Sequence, residues 1–195
     1  MRLRNLLLLA SLCVATLAAH AQLTTYSDPA TGVTFQYPSV WKKVPKPDTM
    51  TQPMILMAGI NPVIDFEFSP KGNLYEKTNL VGLDFLYYTA PAANAAACSK
   101  IVTDAAGSDS KPNTKTIHGV AFQHIQTSNS GMCHEMSADI YSIYRNGACY
   151  LFEEDFMNVC AGVVDGTRGL SAAETKALQR HLDAITQSIV FAPVK

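Results

Sequence analysis

Charge is scarce in this 195-residue sequence, at 16% of the residues, and its basic residues form no stripe. Without a basic stripe nothing tracks a phosphate backbone, which argues against nucleic acid as a partner. Beyond the N-terminus no apolar run approaches the about 20 residues that a spanning helix needs. No Cys-x-x-Cys spacing occurs, so neither a zinc knuckle nor a thioredoxin-like redox pair is indicated. A glycine-rich phosphate loop, an H-E-x-x-H helix and a G-x-S-x-G elbow are also missing, which removes the commonest signatures of nucleotide binding, zinc proteolysis and serine hydrolysis. Tryptophan occurs once, as Trp41, and reads as core. There is no internal repeat or low-complexity tract.

What is present begins with a leader. Residues 1–21 carry Arg2 and Arg4, an apolar stretch from Leu6 to Ala19, and Ala19-His20-Ala21 with small residues at the two positions a signal peptidase inspects. Cleavage is expected after Ala21. A lipid anchor on Cys13 is not expected, because Leu12 precedes it where a small residue is wanted. The mature chain, 22–195, suits one domain with one sizeable core. Removing Arg2 and Arg4 from 15 basic residues leaves 13 against 16 acidic ones, a net charge of −3. A periplasmic or extracellular product with no membrane span after cleavage is expected.

That compartment is oxidising, so Cys98, Cys133, Cys149 and Cys160 read as disulfide partners. Three pairings are possible. The stretch from Cys133 to Cys160 is centred on Asn146-Gly147, the favoured dipeptide of a two-residue type I′ turn. Strand-forming side chains flank it, among them Ile140, Tyr141, Ile143, Tyr150, Leu151 and Phe152. Arg145 then faces Ala148, opposed residue numbers sum to 293, and Cys133 lands opposite Cys160. The same register keeps Cys133 roughly 35 Å from Cys149. Cys133 is therefore paired with Cys160, and Cys98 with Cys149. Against this, the opposed positions are of the wide, hydrogen-bonded kind that suits a disulfide less well, unless a bulge intervenes.

Elsewhere Thr24 to Tyr37 predicts a hairpin turning at Asp28-Pro29-Ala30-Thr31-Gly32. Strands are predicted over Met54 to Ile60, Val63 to Phe68, Leu80 to Thr89 and Ile117 to Thr127, with a loop over Ala105 to Thr116. Ala92 to Val102 suits a short helix. Ser171 and Glu174 form a capping box ahead of the stripe Leu178, Leu182, Ile185 and Ile189, and a short strand follows at Ser188 to Phe191. The fold class is α+β: an antiparallel sheet packed by a C-terminal helix and a short middle helix.

An opening hairpin running into Gly32-Val33-Thr34-Phe35-Gln36-Tyr37-Pro38 and Trp41, then antiparallel strands and a closing helix ending in Ile189-Val190-Phe191, resembles the PsbP and Mog1-like α/β/α sandwich group with its DcrB-like periplasmic members. Thr78-Asn79-Leu80, Cys98 and Cys149-Tyr150 add to the resemblance. What it implies is a sandwich fold and a binding or assembly role rather than catalysis.

Residue chemistry points the same way. His118 and His124 share a face of one predicted strand and read as polar edge residues around Val120 and Phe122. Asp139 falls opposite Glu154, with Glu135 on the same face, while Glu153 and Asp155 point to the other side. Facing carboxylates repel unless solvated or bridged by a cation, so calcium or an acid/base pair is one reading; a solvated outer face is the expected one, since nothing close in sequence supplies further ligands. Met132, His134 and Met136 alternate onto one face, with Met157 opposite Met136, and these are the soft ligands that Cu(I) selects. Methionines more often fill core gaps. The sequence thus predicts an exported, disulfide-stapled binding or assembly domain without a catalytic residue or cofactor, whose partner is a protein or small molecule. The alternative is a copper-handling protein using Met132, His134, Met136 and Met157.

Overall fold

The computed structural model describes residues 22–44, 53–107 and 110–193, so the leader predicted over 1–21 lies outside the described residues. The first hairpin pairs β1 (Leu23–Asp28) with β2 (Val33–Pro38), and β10 (Val190–Phe191) adds to β2 as a small third strand. The main sheet is antiparallel and holds β3 (Lys42–Val44), β4 (Ile64–Phe68), β5 (Leu80–Pro91), β9 (Ala148–Val159), β8 (His134–Arg145), β7 (Val120–Gly131) and β6 (Asn113–Ile117), in that spatial order. Three helices complete it: α1 (Met54–Met57), α2 (Ala95–Ala106) and α3 (Ala172–Gln187).

The α+β class and the closing helix are as the sequence predicts. Asn94 caps α2 by accepting from the Ala97 amide, and Ser171 with Glu174 forms the capping box of α3. Leu178, Leu182 and Ile185 bury the α3 stripe against one face of the sheet, where Phe85, Tyr87 and Phe152 meet Val33 and Phe35 of the small sheet. On the other face α1 and α2 bring Ile55, Cys98 and Val102 against Leu86, Tyr88, Ile140 and Leu151. The main sheet is covered on both sides, and β9 lies at its centre.

Local predictions fail where turn chemistry is unusual. Met54 to Ile60 is not a strand: Pro53, with φ fixed near −53°, starts a single helical turn that Gly59 ends at φ 86°. Ile117 to Thr127 is not one strand either, because His118 (φ 49°) and Gly119 turn the chain from β6 into β7. The predicted loop over Ala105 to Thr116 accordingly supplies the end of α2 and most of β6.

The β8–β9 register is the predicted one, running from Arg145↔Ala148 to His134↔Val159, with Asn146 (φ 50°) and Gly147 (φ 79°) as the turn. Cys149 of β9 is joined to Cys98 of α2, which fastens that helix to the central strand across a separation of 51 residues. Cys98→Ala with Cys149→Ala is expected to lower unfolding free energy by about 2–4 kcal/mol in urea titration, with the β-sheet circular dichroism retained.

Candidate functional site

Strand β9 carries Glu153, Glu154 and Asp155 in succession, and all three are at most 1% exposed. The expectation of a solvated acidic face is therefore wrong. Alternation still holds, so the run splits between the two covered faces. Glu154 points to α3, where the Thr186 hydroxyl donates to it and Gln179 lies 3.4 Å away. Burial, helped by Asp139 and Asp183, raises its carboxyl to about 8. Its cross-strand partner is Asp139, as predicted.

Glu153 faces α1. It accepts from the amides of Met54 (2.5 Å) and Ile55 (3.2 Å) and from the Tyr88 hydroxyl (2.8 Å). Burial raises its carboxyl above the ordinary range, and those donors, Tyr88 first, offset part of that rise. Asp155, two residues on, has no such donors, and its carboxyl is set against that of Glu153 with no other partner of good geometry among the described residues. Burial and then Glu153, Asp84 and Asp65 push it well above the usual carboxylate range. Asp84 of β5 is directly opposite Asp155, and Glu67 of β4 is directly opposite Asp84. Asp65 of β4 lies on the same face, two residues from Glu67. One oxygen from each of Asp65, Glu67 and Asp84 falls within 4.8 Å of the others. At an effective dielectric of about 20, two ionised groups at such a spacing repel by roughly 3–4 kcal/mol. Burial, then Asp84 and Glu67, lift Asp65 to about 8.

Sequence reasoning missed Asp65, Glu67 and Asp84. The available signal is a carboxylate at Asp65 and Asp84 inside the otherwise apolar runs Ile64-Asp65-Phe66 and Leu83-Asp84-Phe85. What was lacking is the pairing of β5 with β9, which brings these residues to the run on the central strand.

At the far end of the β8–β9 hairpin the predicted Met and His cluster does not gather. Met132 and Cys133 are turn residues, at φ 45° and 65°, linking β7 to β8 as a two-residue loop between Gly131 and His134. Met132 is 98% exposed and His134 is exposed beside it. Met136 and Met157 do face each other across β8 and β9, where Met157 is buried and Met136 half-buried as parts of the packing. No clear Met/His coordination site forms among the described residues. Cys133 and Cys160 are free thiols in adjoining positions, with the Cys160 amide donating to the Cys133 carbonyl at 2.9 Å. Contact with Cys133, above all, raises the Cys160 thiol.

The histidines also part. His118 sits in the β6–β7 turn, whereas His124 is buried on β7 with Nε2 2.6 Å from Asp139 and Nδ1 3.2 Å from Asn113. His124 borders an open cleft of about 800 Å³ at the β6 edge, lined also by Lys111, Asn113, Lys115, Gln126 and Ser128.

No family model matches the sequence, and no curated protein does. Among solved structures the chain is similar to cyanobacterial PsbP (CyanoP) from Synechocystis, with 15% identity over 88% of this chain and 94% of that one, at a TM-score of 0.46. LpqN, involved in cell envelope biogenesis of Mycobacterium tuberculosis, gives 13% identity over 89% and 92%, at 0.47. The Ran-binding protein Mog1p of Saccharomyces cerevisiae gives 8% over 88% and 96%, at 0.48. Among the described residues no helix is long and apolar enough to cross a membrane.

Glu154 makes stability pH-dependent with a definite sign. Its folded value, about 8, lies above the ordinary 4.5, so its contribution is complete below pH 4.5 and is lost as pH rises through about 8. Each such proton gives a slope of up to about 1.4 kcal/mol per pH unit between those limits. Glu154→Gln is expected to flatten the fall in urea-unfolding free energy between about pH 5 and pH 8.5.

Proposed function

We propose that the chain is an exported, disulfide-stapled binding domain that holds a small polar, anion-bearing molecule at the β6 edge of its sheet without converting it. The cleft carries this reading: Lys111 and Lys115 supply positive charge, and Asn113, Gln126 and Ser128 supply directional hydrogen bonds in an open cavity of about 800 Å³. The engagement of His124 supports binding over catalysis. Both its ring nitrogens are committed to Asn113 and Asp139, and no hydroxyl or thiol among the described residues hydrogen-bonds it as a nucleophile would.

Amide NMR of the purified chain, titrated with citrate and separately with inorganic phosphate, tests this. Citrate is expected to move the Asn113, Lys115 and Gln126 signals with a Kd in the millimolar range or tighter, and Lys115→Glu to weaken it about fivefold or more. Unmoved signals with both probes at about 20 mM would remove the cleft from consideration.

Export is supported by the leader-like 1–21 and by the adjoining thiols of Cys133 and Cys160. In an oxidising compartment the two thiols form one S–S bond, passing two electrons and two protons to the disulfide of a dithiol oxidant, which is reduced. The exported product is expected to begin at Gln22 and to yield a Cys133–Cys160 peptide pair in non-reducing mass mapping. An unprocessed N-terminus, or both thiols free to alkylation, would contradict this.

A further inference from the structure

We propose that the sheet face covered by α1 holds a hard divalent cation, of the calcium or manganese kind, between Asp65, Glu67 and Asp84, with Asp155 adjoining. These residues bring oxygen ligands only, from three neighbouring strands, with one oxygen each of Asp65, Glu67 and Asp84 within 4.8 Å of the others. Carboxylate oxygens without nitrogen or sulfur favour hard cations over zinc or copper.

An acidic cluster alone would not distinguish a cation from shared protons. The second observation does. Asp65 and Asp155 are both fully buried; neither oxygen of Asp65 makes a hydrogen bond of good geometry with a described residue, and Asp155 has only the Glu153 carboxyl beside it. A proton shared by Asp155 and Glu153 serves that pair but leaves both oxygens of Asp65 without a donor of good geometry, so protonation meets only part of the buried demand. A cation satisfies several such oxygens together.

The charged and titratable groups facing the cluster give it no counter-charge. Strand β3 offers Lys42, the cross-strand partner of Glu67, but the two form no ion pair. Strand β5 adds Tyr88, whose hydroxyl is directed to Glu153, and β9 adds Glu153 itself. Helix α1, Met54–Met57, has no charged side chain. Glu67 is half-buried, whereas Asp65 and Asp84 are buried, so the entry side of the site is Glu67.

The test is Mn²⁺ titration of the purified chain followed by electron paramagnetic resonance, with Ca²⁺ as competitor. One Mn²⁺ per chain is expected at about pH 7.5, with a Kd below about 100 μM and displacement by Ca²⁺. Binding is expected to weaken as the pH falls to about 5, because protons and the cation compete for the same oxygens. Glu67→Gln should weaken binding about tenfold or more, as should Asp65→Asn, while the exposed Glu76→Gln should not. Should Asp65→Asn fail to fold, Glu67→Gln, at a half-exposed position, decides the matter. No bound Mn²⁺ at about 1 mM, or wild-type binding by Glu67→Gln, overturns the proposal.

Discussion

The turn at Asn146-Gly147 sets the register of β8 on β9, and a slip of one residue there would exchange the faces of every side chain on the central strand. With the register as it stands, Phe152 enters the aromatic core under α3, Cys149 meets Cys98 under α2, and the acidic run divides between the two faces. A slip would send Glu153 and Asp155 to the face that contains Phe85, Tyr87 and Phe122, away from the Met54 and Ile55 amides and the Tyr88 hydroxyl that now receive Glu153. The two central φ values are both positive, which asparagine and glycine adopt at little cost. Local backbone chemistry therefore decides where the charge is buried.

That constraint explains why three adjacent acids behave differently. Glu153 has amide and hydroxyl donors and can remain an anion at moderate cost, whereas Glu154 has the Thr186 hydroxyl and a distant amide. Asp155 has neighbours of its own sign instead. A central strand covered on both sides normally reads as a nearly continuous apolar run. Here polar groups interrupt it at the one place where β4 and β5 also carry acids on the same face. The coincidence of three strands, rather than any single residue, makes that region unlike the rest of the core.

Legibility followed the range of the interaction. The β8–β9 register, the α3 capping box and the Leu178, Leu182, Ile185 stripe were readable because each is fixed within a few residues or by one turn. Turns built from His118-Gly119 and Met132-Cys133 were missed, since neither pair carries the Asn-Gly signature although both adopt the same positive φ values. Missing the second of them placed Met132 and Cys133 on a strand and made a ligand row out of a turn. Helix α1 was missed because Met54 to Ile60 is apolar throughout and has no period to read. The acidic face was invisible for a different reason: β5 lies next to β9 because the four-stranded meander β6–β7–β8–β9 presents β9, its last strand, to β5.

The same meander explains why the two candidate sites are separate. Strands β7 and β6 continue outward from β8 to an edge where Lys111 and Lys115 meet solvent beside the buried His124, while β5 and β4 continue from β9 toward the opposite edge. Lys111 and Lys115 thus sit at an edge with no further strand among the described residues, and the acids gather where both faces are covered. Water screens the lysines and lets them exchange a ligand. Asp65, Asp84 and Asp155 have no such solvent, so whatever neutralises them is held as part of the folded structure, and its loss must be felt as a loss of stability. The cleft can fill or empty without disturbing the core, whereas the buried face cannot change its charge without changing how firmly β4, β5 and β9 are held together.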